Sequence, residues 1–559
     1  MNILSDGIRR DGEYAGLLGV IQKTFARTEN RLPIVASGLC SGASDALCTA
    51  LIEDIREVRG GVALMVCPEE KEAVAMRNLL TSFGLKCGFF MARDLTFYNI
   101  TASHEYEHER LNVLYGILNG EFDVVVTTPD AALGYTVPEH VLTSNSMRID
   151  FNRLLNLDET VKKLVDAGYS RVDRVDCAGQ FAVSGGILDI FPPYGRYVDV
   201  DGNEKSSVAP LRIELFGDDI DRMGLFEIES QRITDHIDYA ELPPARELII
   251  TAEAREKLKK AISTHLKKSE DSRAREEMEL ELEALENGLE VNFADKYISL
   301  IYPERVSLLD YLGENNLVII RSTSAVNERL KSAEWTLCRQ IEELMEGGTI
   351  SSKYAEYTKP ASAFELFCER NVTLHAGSMT TGLSGKKLGG LFGFRTKHTV
   401  SYAENFDLLR EDLAAFVKND YRTVVLCENE AAANSLVDLL SDEDYQVFKS
   451  TEEDELTAAT QPVGTVQLVW RHSIGGYELP AAKIAVLSTL GQGKGAYLKT
   501  ATKKRGKKIA GTQKILSYAE LKVGDYVVHE DYGIGIYLGI SNKVINGVSR
   551  DYISIQYAG

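Results

Sequence analysis

Short apolar runs set between helix-length segments constrain this chain most. Val62-Ala63-Leu64-Met65-Val66 and Asp123-Val124-Val125-Val126-Thr127 lack the polar alternation of a strand with one wet face, so they read as strands of a parallel sheet covered by helices. From residue 15 to 145 such runs alternate with helical sequence, which predicts an α/β domain. Inside it, Ile34 to Leu51 reads as strand, turn and helix. The turn Gly38-Leu39-Cys40-Ser41-Gly42-Ala43-Ser44-Asp45 has the length of a nucleotide phosphate loop without its chemistry. A working loop ends G-K-[ST], with a lysine for the phosphates and a hydroxyl for magnesium. Ala43, Ser44 and Asp45 stand there instead, and Asp45 is expected to place a carboxylate at the helix N-terminus, where the dipole would otherwise attract an anion. The expectation is a degenerate nucleotide site with no bound cofactor.

From about Gly168 the texture changes to short strands and tight turns, a β-rich insert. Helical sequence returns at Ala252 to Ala261 and at the acidic stretch Glu270 to Leu285, and Leu317-Val318-Ile319-Ile320 is strand-like. After a less regular stretch, helix Leu408 to Lys418, strand Thr423 to Cys427, helix Ala431 to Leu440 and strand Val466 to Val469 make a second small α/β unit. From Leu521 the texture is all β. Residues 551–557 alternate apolar and polar, and Asn546-Gly547 suits a two-residue hairpin turn. A small barrel would fit, but three or four strands are too few to close one, so a truncation at Gly559 is expected. The expected division is 1–145 for the α/β domain, 146–245 for the insert, 246–350 for the return to that domain, 351–490 for the second α/β unit, 491–516 for a basic linker and 517–559 for an incomplete C-terminal β unit.

The net charge of −21 argues against a chain that coats nucleic acid over its whole surface. Residues 499–508 carry six positive charges in ten, a candidate for weak DNA contact that reads better as a solvated linker because it has no interleaved aromatics. The eight cysteines never form C-x-x-C, so neither a zinc knuckle nor a disulfide framework is expected, and no apolar run of membrane-spanning length occurs. A cytoplasmic location is expected.

The string Gly168-Tyr169-Ser170-Arg171-Val172-Asp173-Arg174-Val175, then Gly179-Gln180-Phe181-Ala182-Val183-Ser184-Gly185-Gly186-Ile187-Leu188-Asp189-Ile190-Phe191-Pro192, Arg212-Ile213-Glu214-Leu215-Phe216-Gly217-Asp218 and Glu229-Ser230-Gln231-Arg232, resembles the module shared by UvrB and the transcription-repair coupling factors, the Mfd family. Val523-Gly524-Asp525-Tyr526-Val527-Val528-His529-Glu530-Asp531-Tyr532-Gly533-Ile534-Gly535-Ile536-Tyr537-Leu538-Gly539-Ile540 resembles the RNA polymerase-interaction domain that the coupling factors have and UvrB lacks. The resemblance implies an α/β multidomain architecture, with a degenerate P-loop-type domain carrying the insert, a second small α/β domain and a small Tudor/SH3-like barrel. It implies no chemistry of this region's own, because the family's ATP- and magnesium-dependent DNA translocase, through which DNA is mainly held, would lie beyond Gly559. UvrB's damage-probing hairpin has no counterpart, since Phe97-Tyr98-Asn99 passes within a few residues into a helix beginning near His104.

Partner surfaces carry over by residue. The family's UvrA surface is similar to the one formed by Arg212 and Phe216, while a further family arginine is Ser184 here. The contact with the RNA polymerase β subunit resembles strand addition along Tyr537 to Ile545, where a position often apolar is Lys543, beside Val544 and Ile545.

Rival readings also arise. His104-Glu105-Tyr106-Glu107-His108 is a literal H-E-x-x-H, the helix signature of a zinc metalloprotease, which is a remote alternative function; with Ser103, Glu107, Glu109 and Arg110 around it and no third ligand motif it reads as an exposed, polar helix start. Gly382-Leu383-Ser384-Gly385-Lys386-Lys387 misses a phosphate loop at two positions and reads as a basic loop. An ATP-dependent repair enzyme is the alternative to an adaptor, and the missing lysine at Ser44 separates the two.

Overall fold

The computed structural model describes residues 3–490 apart from 28–30, 94–104, 288–290, 292–293, 379–382, 384, 404, 441–442, 444, 451–459 and 471–473, together with three strands between 526 and 557. A seven-stranded sheet runs in the order Gly390–Gly393, Ile34–Ser37, Val372–Ala376, Leu317–Arg321, Ala63–Val66, Val124–Thr127, Cys87–Phe90. Every pairing in it is parallel. The runs Ala63–Val66 and Val124–Thr127 are buried along their whole length, as a strand covered on both faces must be. The sheet takes Val372–Ala376 and Gly390–Gly393 from beyond residue 350, where the sequence places the start of the second α/β unit. The reason is topological: Ile34 pairs with Leu374 on one side and Gly390 on the other, so the strand that begins the domain is completed by segments more than 300 residues away.

A nine-stranded sheet follows. Its order is Glu204–Ser207, Gly195–Asp199, Ile233–Leu242, Asp219–Phe226, Leu211–Phe216, Ile187–Phe191, Gln180–Ser184, Ser170–Arg171, and Met147–Asp150 also pairs with Ile233–Leu242. Its core joins Phe181, Leu188, Ile190, Leu211, Ile213 and Leu225 to Leu164 of the helix Leu157–Asp166. Side-chain caps start the next helices: Thr251 accepts from the Ala254 amide ahead of Ala252–Leu266, and Asp271 from the Ala274 amide ahead of Ser272–Glu286.

A six-stranded mixed sheet has the order Lys397–His398, Tyr477–Leu479, Ile484–Ser488, Arg422–Leu426, Val466–Val469, Val447–Lys449. Its inner residues Val424, Leu426, Tyr477 and Ile484 share one core with Ala43, Leu47 and Leu51 of the helix Ser41–Arg59 and with Leu4 and Ile8 of the helix Ile3–Arg9. Tyr526–His529, Gly533–Ile545 and Val548–Tyr557 form an antiparallel three-stranded sheet in a separate body. Among the described residues no helix is long and apolar enough to cross a membrane.

Candidate docking face and nucleotide-type loop

Along Leu211–Phe216 the side chains alternate as strand geometry requires: Leu211 and Ile213 enter the core, while Arg212, Glu214 and Phe216 share the opposite face. Asp189 lies opposite Arg212 on the neighbouring strand, and Ile187 lies opposite both Glu214 and Ser184. The structure therefore brings Ser184, Arg212 and Phe216 onto one face of three adjacent strands. Phe216 is 83% exposed, and Ser184 is exposed beside the Gly185-Gly186 turn.

Arg212 is only partly exposed and is held by the sheet. Its Nε and Nη2 donate to the two carboxylate oxygens of Asp189 at 2.7 and 2.8 Å, and Nη1 and Nη2 donate to the Gln231 carbonyl and side-chain oxygens at 2.9 Å each. The guanidinium carbon stands 4.5 Å from the centre of the Phe226 ring. A bidentate ion pair with an aromatic floor fixes the group in place. Gln231 reaches it from a left-handed backbone position, φ 56°. Arg212 thus braces the face, and Phe216 is its projecting side chain.

The helix Glu105–Leu118 does not begin as an exposed polar segment. Glu107 is buried, its carboxylate accepting the Glu247 amide at 2.6 Å and pairing with Arg246 at 3.1 Å, while His108 Nε2 lies 3.1 Å from the Ala245 carbonyl oxygen. His104 lies outside the described residues, among which no cluster able to hold a metal ion occurs. One turn on, Arg110 donates through Nε and Nη2 to Glu247 at 2.8 and 2.9 Å, and Arg93 reaches the same carboxylate at 2.7 Å and also pairs with Asp295. Burial pushes the Glu247 carboxyl up, but Arg110 and Arg93 outweigh it and hold the pKa at about 2. This network ties the segment leaving the insert, just past the strand Ile233–Leu242, to the helix Glu105–Leu118 that precedes it in the chain.

In the nucleotide-type turn, Asp45 is not at the helix N-terminus. The helix spans Ser41–Arg59 with no acid in its first turn, and Asp45, one turn in, pairs at 2.6 Å with Arg321 from the end of a neighbouring strand. The carboxylate answers a half-buried arginine, not the dipole. The turn's amides have protein partners: Gly38 donates to Ser378 O, Leu39 to Gly377 O and Cys40 to Thr396 Oγ1. The second basic loop has only Leu383, Gly385, Lys386 and Lys387 among the described residues, and the basic segment 499–508 lies outside them.

In the three-stranded sheet, Tyr537, Lys543, Val544 and Ile545 lie on Gly533–Ile545. Lys543 pairs with Arg550, Val544 with Ser549 and Ile545 with Val548. Tyr526–His529 pairs only with residues 533–536, so among the described residues the other backbone edge of 537–545 has no strand partner.

A family model described as the UvrB interaction domain matches residues 147–248, and one described as the CarD-like/TRCF RID domain matches 521–559. A transcription-repair-coupling factor of Bacillus subtilis is 30% identical over 476 residues, covering 82% of this chain and 38% of that protein. The chain matches the N-terminal part of the transcription-repair coupling factors. Coupling factors of Staphylococcus epidermidis and Staphylococcus aureus are 27% and 25% identical over 474 and 469 residues, again 82% of this chain and 38% of each relative. The chain thus spans well under half the length of the curated coupling factors it matches. The first matched segment coincides with the nine-stranded sheet that carries Ser184, Arg212 and Phe216. Asp189 and Gln231, which position Arg212, went unassigned in the sequence. Their signal is there: Asp189 is a lone acid inside an apolar strand, opposite the lone arginine of the next one.

Proposed function

We propose that this region is an adaptor that joins RNA polymerase to UvrA in transcription-coupled excision repair and has no chemistry of its own. The observation that carries it is the exposed Phe216 on a face braced by Arg212, within the segment that matches the UvrB interaction domain. An aromatic projecting from a rigid sheet is a common interface anchor. In this reading UvrA takes the face formed by Phe216, Ser184 and their neighbours, and the polymerase β subunit adds a strand to the edge of Tyr537 to Ile545 within a Tudor/SH3-like unit. The first domain is a degenerate P-loop-type domain that binds no nucleotide, because Ser44 replaces the phosphate lysine and the amides of the turn bond to protein acceptors. In this region DNA is touched weakly at most, at residues 499–508. Work beside UvrA and RNA polymerase places the protein in the cytoplasm. The test is capture of UvrA by the whole chain and by Phe216→Ala. The reading expects capture by the first and strong weakening in the second. Equal capture by a folded variant would remove Phe216 from the interface.

A further inference from the structure

Gly38, in the turn between Ile34–Ser37 and Ser41–Arg59, and Gly42, in the first turn of that helix, each admit a different close neighbour. A Cβ built on Gly38, which also sits at φ 74°, would overlap the carbonyl oxygen of Phe394. One built on Gly42 would overlap the carbonyl oxygen of Gly475 and press on the Tyr477 ring. Thr396 bonds the turn twice, its Oγ1 accepting from the Cys40 amide at 2.8 Å and donating to the Gly38 carbonyl at 2.9 Å. Behind this contact Tyr477 is fully buried, and its hydroxyl donates to the Leu4 carbonyl at 3.1 Å. The Gly475 carbonyl oxygen therefore stands against the first turn of the helix, and that of Phe394 against the loop just before it; the N–H groups and dipole of a helix start favour such negative charge. That is the position a phosphate would take in a working loop.

We propose that this turn has become an intramolecular socket whose occupant is the backbone of residues 394–396 and 475–477, and that it fixes the six-stranded unit on the seven-stranded one. The inference rests on the reading that the turn binds no nucleotide. It accounts for glycine at both 38 and 42: each serves the approach of a protein backbone, which a side chain at either place would block.

Hydrogen exchange followed by mass spectrometry on the whole chain tests it. In Gly42→Ala, exchange in peptides covering 394–402 and 474–479 should rise by at least about tenfold, as a local opening of that contact would produce. Peptides covering Val124–Thr127 and Val466–Val469, in the two sheet interiors, should stay protected. Unchanged exchange at 394–402 and 474–479 in a folded Gly42→Ala would overturn the socket. If Gly42→Ala does not fold, Thr396→Val decides, because it removes both Thr396 bonds and leaves the backbones free to pack. Faster exchange at 394–399 is then expected, and exchange equal to that of the unaltered chain would overturn the proposal. A parallel titration of the unaltered chain with Mg-ATP tells the two failures apart. Binding there would sink the nucleotide-free reading, whereas the exchange result speaks to the socket.

Discussion

Arg212→Ala and Phe216→Ala separate folding from docking on one strand. An exposed ion pair contributes about 0–1 kcal/mol, whereas hydrogen bonds to charged groups contribute about 1.5–3 kcal/mol. The Arg212 and Asp189 side chains are only 15% and 11% exposed, so the pair lies near the stronger end. Truncating Arg212 also strands the Asp189 carboxylate against the Phe226 side of the sheet. The expected cost is about 2–3 kcal/mol. Adding Asp189→Ala should return part of it, with a coupling energy of about 1–3 kcal/mol in the double-mutant cycle. Phe216 buries almost nothing, so Phe216→Ala should change stability by less than about 0.5 kcal/mol while weakening UvrA binding by about tenfold or more. Urea unfolding followed by circular dichroism reads the first quantity, and titration with UvrA reads the second. An Arg212→Ala chain within about 0.5 kcal/mol of the unaltered one would refute the bracing role.

Four further outcomes follow from contacts of the same kind. Arg110→Met should destabilise by about 3–5 kcal/mol in urea unfolding, because it removes the bidentate partner of a wholly buried Glu247; a loss below about 1 kcal/mol would mean that Arg93 suffices alone. The Glu247 carboxyl is held at about 2, below its ordinary value, so its contribution is complete above about pH 4.5 and is lost as pH falls toward 2. Burial and Lys386 lower the His375 imidazole to about 4, so its neutral form favours the fold above about pH 6.5 and stability declines as pH falls from there to 4. His375→Asn, which keeps a partner for the Thr323 hydroxyl, should flatten the decline between pH 6.5 and 4, and an unchanged slope would exclude His375 as its source. Ser184→Arg should tighten UvrA binding with no change in unfolding, and equal affinity would mean that the guanidinium is not needed on this face.

What was legible in the sequence was what neighbouring residues decide. Apolar runs such as Ala63–Val66 declare strands buried on both faces, and the alternation of Leu211–Phe216 declares which side chains leave the core. What was not legible depends on partners far along the chain. Gly390-Leu391-Phe392-Gly393 has no strand signature of its own and becomes the sheet edge only because Ile34–Ser37 is there to pair with it. Glu107 and Arg110 read as polar surface because the groups that neutralise them, Arg246 and Glu247, lie some 140 residues on. Asp45 looked like a helix-terminus charge for the same reason, its partner Arg321 being invisible until the strands are placed.

The adaptor reading meets its most direct test in a bridging measurement. UvrA is immobilised, the whole chain is captured on it, and RNA polymerase β subunit is then passed over the surface. The account predicts that β is retained only when the chain is present, that Phe216→Ala abolishes retention by failing to load the chain, and that Lys543→Glu leaves the chain loaded but lowers retention of β. Displacement of the chain by β, or no retention of β on a fully loaded surface, would contradict it.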